Sequence, residues 1–201
     1  VPARFAIIKQ FLASNRNAIL ILPETAKNSP DSYGGKLEQK DTFKKLLQDV
    51  LDKLENENVI SKSTTPGNVV LSGHSGAFRV MAHILLHGGV EVKEAFLFDG
   101  LYSQVDKFNS WIKADTSHRF INIYTNKGGG TDEVSAQMMN LLLEKNIAFI
   151  NPEEKLVDGP MIKANQVIFI HSLKEHNDVI HRPDHNFRLY LENSPVLKAL
   201  F

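Results

Sequence analysis

The stretch Asn68-Val-Val-Leu-Ser-Gly-His-Ser-Gly-Ala-Phe-Arg-Val-Met-Ala82 decides how this chain is read. An apolar run at 68–72 enters Gly73-His74-Ser75-Gly76-Ala77 and passes without a spacer into a segment of helical period. A buried strand that turns sharply into a helix is the setting a nucleophile elbow requires. Residues two before and two after the central one must be small to avoid collision across the bend, and Gly73 and Ala77 meet that demand. Ser75 would then lift its hydroxyl above the sheet, and the Gly76 N–H, at the helix N-terminus, would face a developing oxyanion. The last small position is Ala77 where the common pattern has Gly.

Working outward, similar apolar runs stand at 18–22 (AILIL), 95–99 (AFLFD), 120–124 (FINIY) and 167–171 (VIFIH). Each is nearly continuous in large apolar residues rather than alternating with polar ones, as expected of strands covered on both faces. Between them lie helical patterns. Residues 42–56 place Phe43, Leu46, Leu47, Val50, Leu51 and Leu54 at steps of three and four, an apolar stripe. Further helices are expected at 76–86, 105–113, 131–145, with Thr131 as N-cap, and from Pro183 to about residue 193. Phe5, Ile8, Phe11 and Leu12 mark a helix within residues 1–14. Alternating strands and helices predict an α/β fold: a mostly parallel sheet with helices on both faces, in one domain over residues 1–201.

Composition sets bounds on partners. Lys+Arg and Asp+Glu both count 23, so the formal charge is zero and no sustained basic field exists to bind nucleic acid. With no cysteine, a thiolate nucleophile, a cysteine-based zinc site and disulfides are excluded. No apolar run approaches the roughly 18 residues of a membrane span. A chain of 201 residues buries roughly 70% of its unfolded surface in one core, which leaves room for a pocket for a small-molecule or peptide-like substrate. Neither localisation nor oligomeric state is legible here.

From about residue 17 to its end, through Ser75 in its elbow and the elements that follow, the chain resembles the α/β-hydrolase superfamily. The resemblance implies a serine nucleophile followed in sequence by an acid after one of the next two strands and a histidine after the last. Asp99 closes the next strand, followed by Gly100, at the carboxyl edge where open sheets build their sites. After the following strand the acid position holds Asn126, and Asp132 suits a helix start. Four histidines follow the final strand: His171, His176, His181 and His185. His176, in a polar loop about five residues past the strand, is preferred as the general base; His181 ranks second, and His171 and His185 stay open.

The implied chemistry is serine hydrolysis of an ester or amide through an acyl-enzyme, with Ser75 as nucleophile, His176 as base and acid, Asp99 orienting it and Gly76 in the oxyanion hole. An esterase is favoured over an amidase or peptidase, and a non-catalytic binding protein on the same scaffold is the alternative from another class. No cofactor is required. His181-Arg-Pro-Asp184-His185, with Asp178, offers HxxxH and oxygen ligands for a metal, but Pro183 separates the two histidines and no HExxH is present. Gly128–Gly130 matches no phosphate loop and reads as a mobile rim, and residues 24–36 read as a loop bordering the pocket. In this superfamily a second oxyanion N–H comes from a loop upstream of the first strand visible here. Only residues 1–17 lie there, and they read as a helix, so additional strands are expected before Val1.

Overall fold

The structure, a computed structural model, describes residues 4–25, 32–127, 129–180 and 186–200. Its elements in chain order are α1 (Ile7–Ala13), α2 (Thr42–Asn56), β1 (Val69–His74), α3 (Ala77–His87), β2 (Val92–Phe98), α4 (Val105–Ala114), β3 (Arg119–Thr125), α5 (Thr131–Glu144), α6 (Gly159–Ala164), β4 (Val167–Ser172) and α7 (Asn186–Glu192). The four strands form one parallel sheet in the order β1-β2-β3-β4. The fold is therefore α/β, with a helix between each pair of consecutive strands.

Side chains alternate across the sheet and divide the core in two. Ala95, Leu97, Phe120 and Phe169 pack with residues of α2, α3, α4 and α5 on one face. Phe96, Phe98, Ile121, Ile123, Ile168 and Ile170 pack with Ile162 of α6 and with Phe187, Tyr190 and Leu191 of α7 on the other, where α1 adds Ile7 and Phe11. Burial on both faces is why these strands read as unbroken apolar runs. Helices α3, α4 and α5, which connect the strands in turn, lie on one face, as a single handedness of crossover requires.

Residues 18–22 depart from expectation. They form no strand among the described residues, and Ile19 and Leu22 remain 50% and 47% exposed. Leu20 and Ile21 rest on opposite core clusters, but among the described residues no sheet ladder includes them. Nearby, Asn17 N–H donates to the Lys198 carbonyl and Arg16 forms an isolated bridge with Ala199. Composition marks a segment as able to be a strand; a partner makes it one.

The remaining elements fall close to their expected places. Thr131 is the first residue of α5 rather than its cap, which is Gly130 at φ +78°. Helix α6 was not anticipated; the Asp158 side chain caps it by accepting from Met161 N–H at 2.8 Å, with Pro160 in the first turn. The expected start of the last helix at Pro183 lies outside the described residues. No described helix is long and apolar enough to cross a membrane.

At the amino edge of the sheet, Glu94 of β2 faces Arg119 of β3 in register. The two form a buried ion pair. Ser194 donates to the other Glu94 oxygen, and Arg119 also donates to the carbonyls of Ile162 and Asn165. This network ties β2, β3, α6 and the C-terminal segment together on the side opposite the candidate site.

Candidate active site

The carboxyl ends of β1 and β2 are drawn out by two bonds that continue the sheet ladder. Ser75 N–H donates to the Phe98 carbonyl at 3.1 Å, and Asp99 N–H donates to the Ile123 carbonyl at 2.7 Å. Each residue is thereby pinned to the neighbouring strand just as its chain turns away. Both turns use positive φ, +55° at Ser75 and +41° at Asp99, a region that non-glycine residues adopt at a cost and that gathers at functional sites.

Sterics show why the elbow needs small residues. A Cβ on Gly73 would stand 2.8 Å from the Ala77 Cβ and would also strike the Met81 sulfur. A Cβ on Gly100 would reach within 2.7 Å of the Ser75 carbonyl oxygen and 3.1 Å of its nitrogen. The turn after β2 thus packs directly on the backbone of Ser75. Gly76 occupies the N-cap of α3, with the Ser32 side chain against it.

Asp99 is 1% exposed, and its carboxylate is saturated with donors. One oxygen accepts from Thr125 N–H at 3.0 Å and from the Thr131 hydroxyl. The other accepts from the Thr125 hydroxyl at 3.0 Å and from His176 Nδ1–H at 2.7 Å. Because a carboxylate can only accept, the His176 proton sits on Nδ1, and in the neutral ring Nε2 keeps its lone pair. That is the tautomer a general base needs. The Thr131 hydroxyl, spent on Asp99, also explains why this residue does not cap α5.

Two anchors hold the His176 loop. His74 Nε2–H donates to the His176 carbonyl at 3.0 Å, and the two rings lie 4.4 Å apart between centroids. Burial pushes the His74 pKa below its ordinary value, against the hydrogen bond to the His176 carbonyl, which acts to raise it. On the far side, Glu154 accepts from the Ser172 hydroxyl and Lys174 ammonium, both at 2.5 Å, and from Asn186 Nδ2–H at 2.6 Å. Asn186 donates in addition to the Val179 carbonyl at 2.7 Å. The loop carrying His176 is therefore fastened at each end.

Tyr102, three residues after Asp99, lies close enough to Ser75 for the serine side chain to act on its phenol. Its ring meets Phe78 edge-on at 5.6 Å. Burial pushes its phenol pKa upward, partly offset by the Ser75 contact. Gly129, at φ +93°, lies against the same ring: a Cβ there would be 3.2 Å from Tyr102 Cε1.

The rim beyond Ser75 is braced on α3. Glu38 takes a bidentate contact from Arg79, with Nε at 2.9 Å, accepts Gly34 N–H at 2.7 Å, and offers its carbonyl to His87 Nε2–H at 2.8 Å. This places residues 32–36 of the expected pocket-bordering loop beside the elbow.

Among the predicted site residues, Asp99 and His176 meet directly, and Ser75 and Gly76 occupy the adjoining elbow. His171 lies elsewhere: its Nδ1–H donates to Glu153 at 2.9 Å and its ring tilts against Tyr124. His181, Asp184 and His185, the core of the HxxxH motif, lie outside the described residues, as does Gly128. Sequence reasoning missed His74, Thr125, Thr131 and Glu154 as site-building residues, and from sequence Tyr102, with Phe108 and Trp111, reads equally as pocket wall or as helix packing. The available signal was position: His74 sits inside the elbow and Tyr102 follows Asp99-Gly100 at the same sheet edge.

A scan of known protein families finds no match, and a search of curated proteins finds none. Among solved structures, the chain is similar to an uncharacterized protein from Bacillus cereus, with a TM-score of 0.55 and 17% sequence identity over 94% of this chain. That likeness extends to the fold alone. The match takes in 53% of the Bacillus protein, so this chain spans about half the length of its structural relative.

Proposed function

We propose that this chain carries the catalytic centre of a serine hydrolase of α/β-hydrolase type, acting on ester or amide bonds through an acyl-enzyme. The observation that carries the reading is the Asp99 to His176 Nδ1 contact of 2.7 Å, made one strand away from a serine held at positive φ between strand and helix. Ser75 attacks the substrate carbonyl while His176 Nε2 takes the hydroxyl proton. His176 returns that proton to the leaving group, and water repeats the sequence to release the acid. Asp99 fixes the tautomer and stabilises the imidazolium without taking the proton. The proposed chemistry uses no cofactor.

The test is covalent labelling with a fluorophosphonate probe. One adduct on Ser75, located by peptide mass spectrometry and lost in Ser75→Ala, is expected, with labelling strongly slowed in His176→Ala. An unlabelled Ser75 in folded protein would favour a binding protein on the same scaffold.

A further inference from the structure

We infer that Glu91, Asp115 and His118 form a binding site for a divalent transition-metal ion of the zinc class, at the amino edge of the sheet and independent of the proposed hydrolase centre.

The three residues come from different segments. Glu91 directly precedes β2, Asp115 is the C-cap of α4, and His118 directly precedes β3. A ring nitrogen of His118 and one carboxylate oxygen from each acid lie within 4.8 Å of one another. Strand β2 separates this cluster from Asp99, and its seven residues span about 20 Å.

His118 supplies the deciding observation. It is 7% exposed, its ring stacks on Trp111 at 4.5 Å and 11°, and its Nδ1–H donates to the Trp111 carbonyl at 2.7 Å. Because a carbonyl only accepts, Nδ1 holds the proton of the neutral ring and Nε2 holds the lone pair. Metal-ligating histidines are oriented in this way, with the second nitrogen donating to a backbone acceptor. Among the described residues no hydrogen bond or ion pair engages His118 Nε2. The two carboxylates have no proton to offer it, so three acceptors converge with nothing of their own to join them.

A cation supplies the missing partner. The Lys93 ammonium pairs with Glu91 but leaves His118 Nε2 free. Its side chain is long and partly exposed, so it can withdraw to water when a doubly charged ion arrives. Asp115 accepts Ser117 N–H through one oxygen at 2.7 Å and keeps the other for the ion. Two carboxylates neutralise a 2+ charge, and a mixed nitrogen and oxygen donor set suits zinc, whereas magnesium and calcium take oxygen alone. Exposed Glu91 can close on the ion while buried His118 holds still, and a water completes the tetrahedron. The ion ties the end of α4 to the starts of β2 and β3.

The experiment titrates the full chain, stripped with EDTA and dialysed, with ZnCl2 by calorimetry, and with CoCl2 by visible absorption. Wild type is expected to bind one zinc per chain, with MgCl2 failing to compete. Loss of a mere outer partner of a ligand costs about 10- to 100-fold in affinity, so Glu91→Gln and Asp115→Asn should each weaken zinc by about 100-fold or more. Neither side chain is buried, so both variants keep the fold. His118→Phe retains a ring against Trp111 and should abolish zinc binding and the cobalt spectrum. Lys93→Met removes the competing ammonium and should tighten zinc, a gain that a folding defect cannot mimic. Failure of wild type to bind zinc at micromolar concentration, or an affinity unchanged in Glu91→Gln and Asp115→Asn, would overturn the inference. Loss of zinc in His181→Ala, with the three residues intact, would overturn it too by placing the ion at the HxxxH motif. Fluorophosphonate labelling of Ser75 reports on the hydrolase reading separately.

Discussion

His74 Nε2–H donates to the backbone carbonyl of His176 over 3.0 Å, so the residue before the elbow serine holds the chain of the histidine expected to activate that serine. The rings lie 33° from parallel at 4.4 Å. Asp99 fixes the His176 imidazole through its side chain, and His74 fixes it through its backbone. Two independent constraints thus converge on one ring.

Replacing His74 with Phe keeps a flat ring and removes the donor. One hydrogen bond is worth roughly 0.5–1.5 kcal/mol, so kcat is expected to fall about 3- to 10-fold with KM nearly constant. Stability supplies a second readout. The folded-state pKa of His74 lies below its ordinary 6.5, so the unfolded chain takes up this proton more readily. The contribution is fully present above about pH 6.5 and is lost as pH falls through the depressed folded value. Urea melts at pH 7.5 and pH 5 should therefore show wild type losing stability relative to His74→Phe on acidification. A pH-independent difference would exclude His74 as the titrating group.

Asp99→Asn preserves size but replaces an acceptor-only carboxylate with an amide facing four donors. The amide cannot hold His176 in the Nδ1–H tautomer and also satisfy Thr125 and Thr131. By analogy with triads in general, a loss of about 10⁴ in kcat is expected. Thr131→Val removes one donor and leaves the His176 contact, so its loss should stay within about tenfold. Equal defects in the two variants would mean that Asp99 acts only as a structural anchor.

The contrast between these residues shows what a sequence carries and what it withholds. Asp99 was legible because an acid ending four apolar residues has one destination, the carboxyl edge of a buried strand. Strands β1 to β4 were legible because coverage on both faces forces unbroken apolar runs. Residues 18–22 carry the same composition without becoming a strand, since a ladder requires a neighbouring backbone that composition does not encode. The bond from His74 to His176 joins segments whose approach is set by loop closure, and no periodicity announces it. Glu154 was hidden for the same reason: it stands between elements and binds the loop after β4 from outside the strand pattern.

At the opposite edge of the sheet, Glu94→Ala leaves the Arg119 guanidinium buried without its carboxylate, and a loss of about 3–5 kcal/mol is expected from that uncompensated charge. Glu94→Gln should cost less, because the amide oxygen still accepts from Arg119 or Ser194. Burial raises the Glu94 pKa even though Arg119 and Ser194 both act to lower it. A raised folded value means that the Glu94 contribution is greatest below its ordinary 4.5 and declines as pH rises through the folded pKa. The stability advantage of wild type over Glu94→Gln should narrow on that rise, measured by denaturant melts from pH 4 upward. Widening instead would mean that the ion pair outweighs desolvation.

Gly73→Ala tests the elbow without touching any group proposed to react. The added methyl meets the Ala77 Cβ at 2.8 Å and the Met81 sulfur. The sulfur ends a flexible chain and can yield, whereas Ala77 opens α3 and its Cβ is fixed by the helix backbone. Relief must therefore come from a shift of α3 against β1, and overpacking of this kind typically costs about 1–3 kcal/mol. Such a shift also moves Gly76 relative to Ser75, so kcat should fall further than stability alone explains, while fluorophosphonate still finds the serine at a reduced rate. Ala77→Gly removes the atom struck and should restore part of both losses in the double variant, as coupled neighbours do. Independent, additive effects of the two substitutions on melting temperature and kcat would show that the bend tolerates the methyl and that Gly73 is not required by the turn.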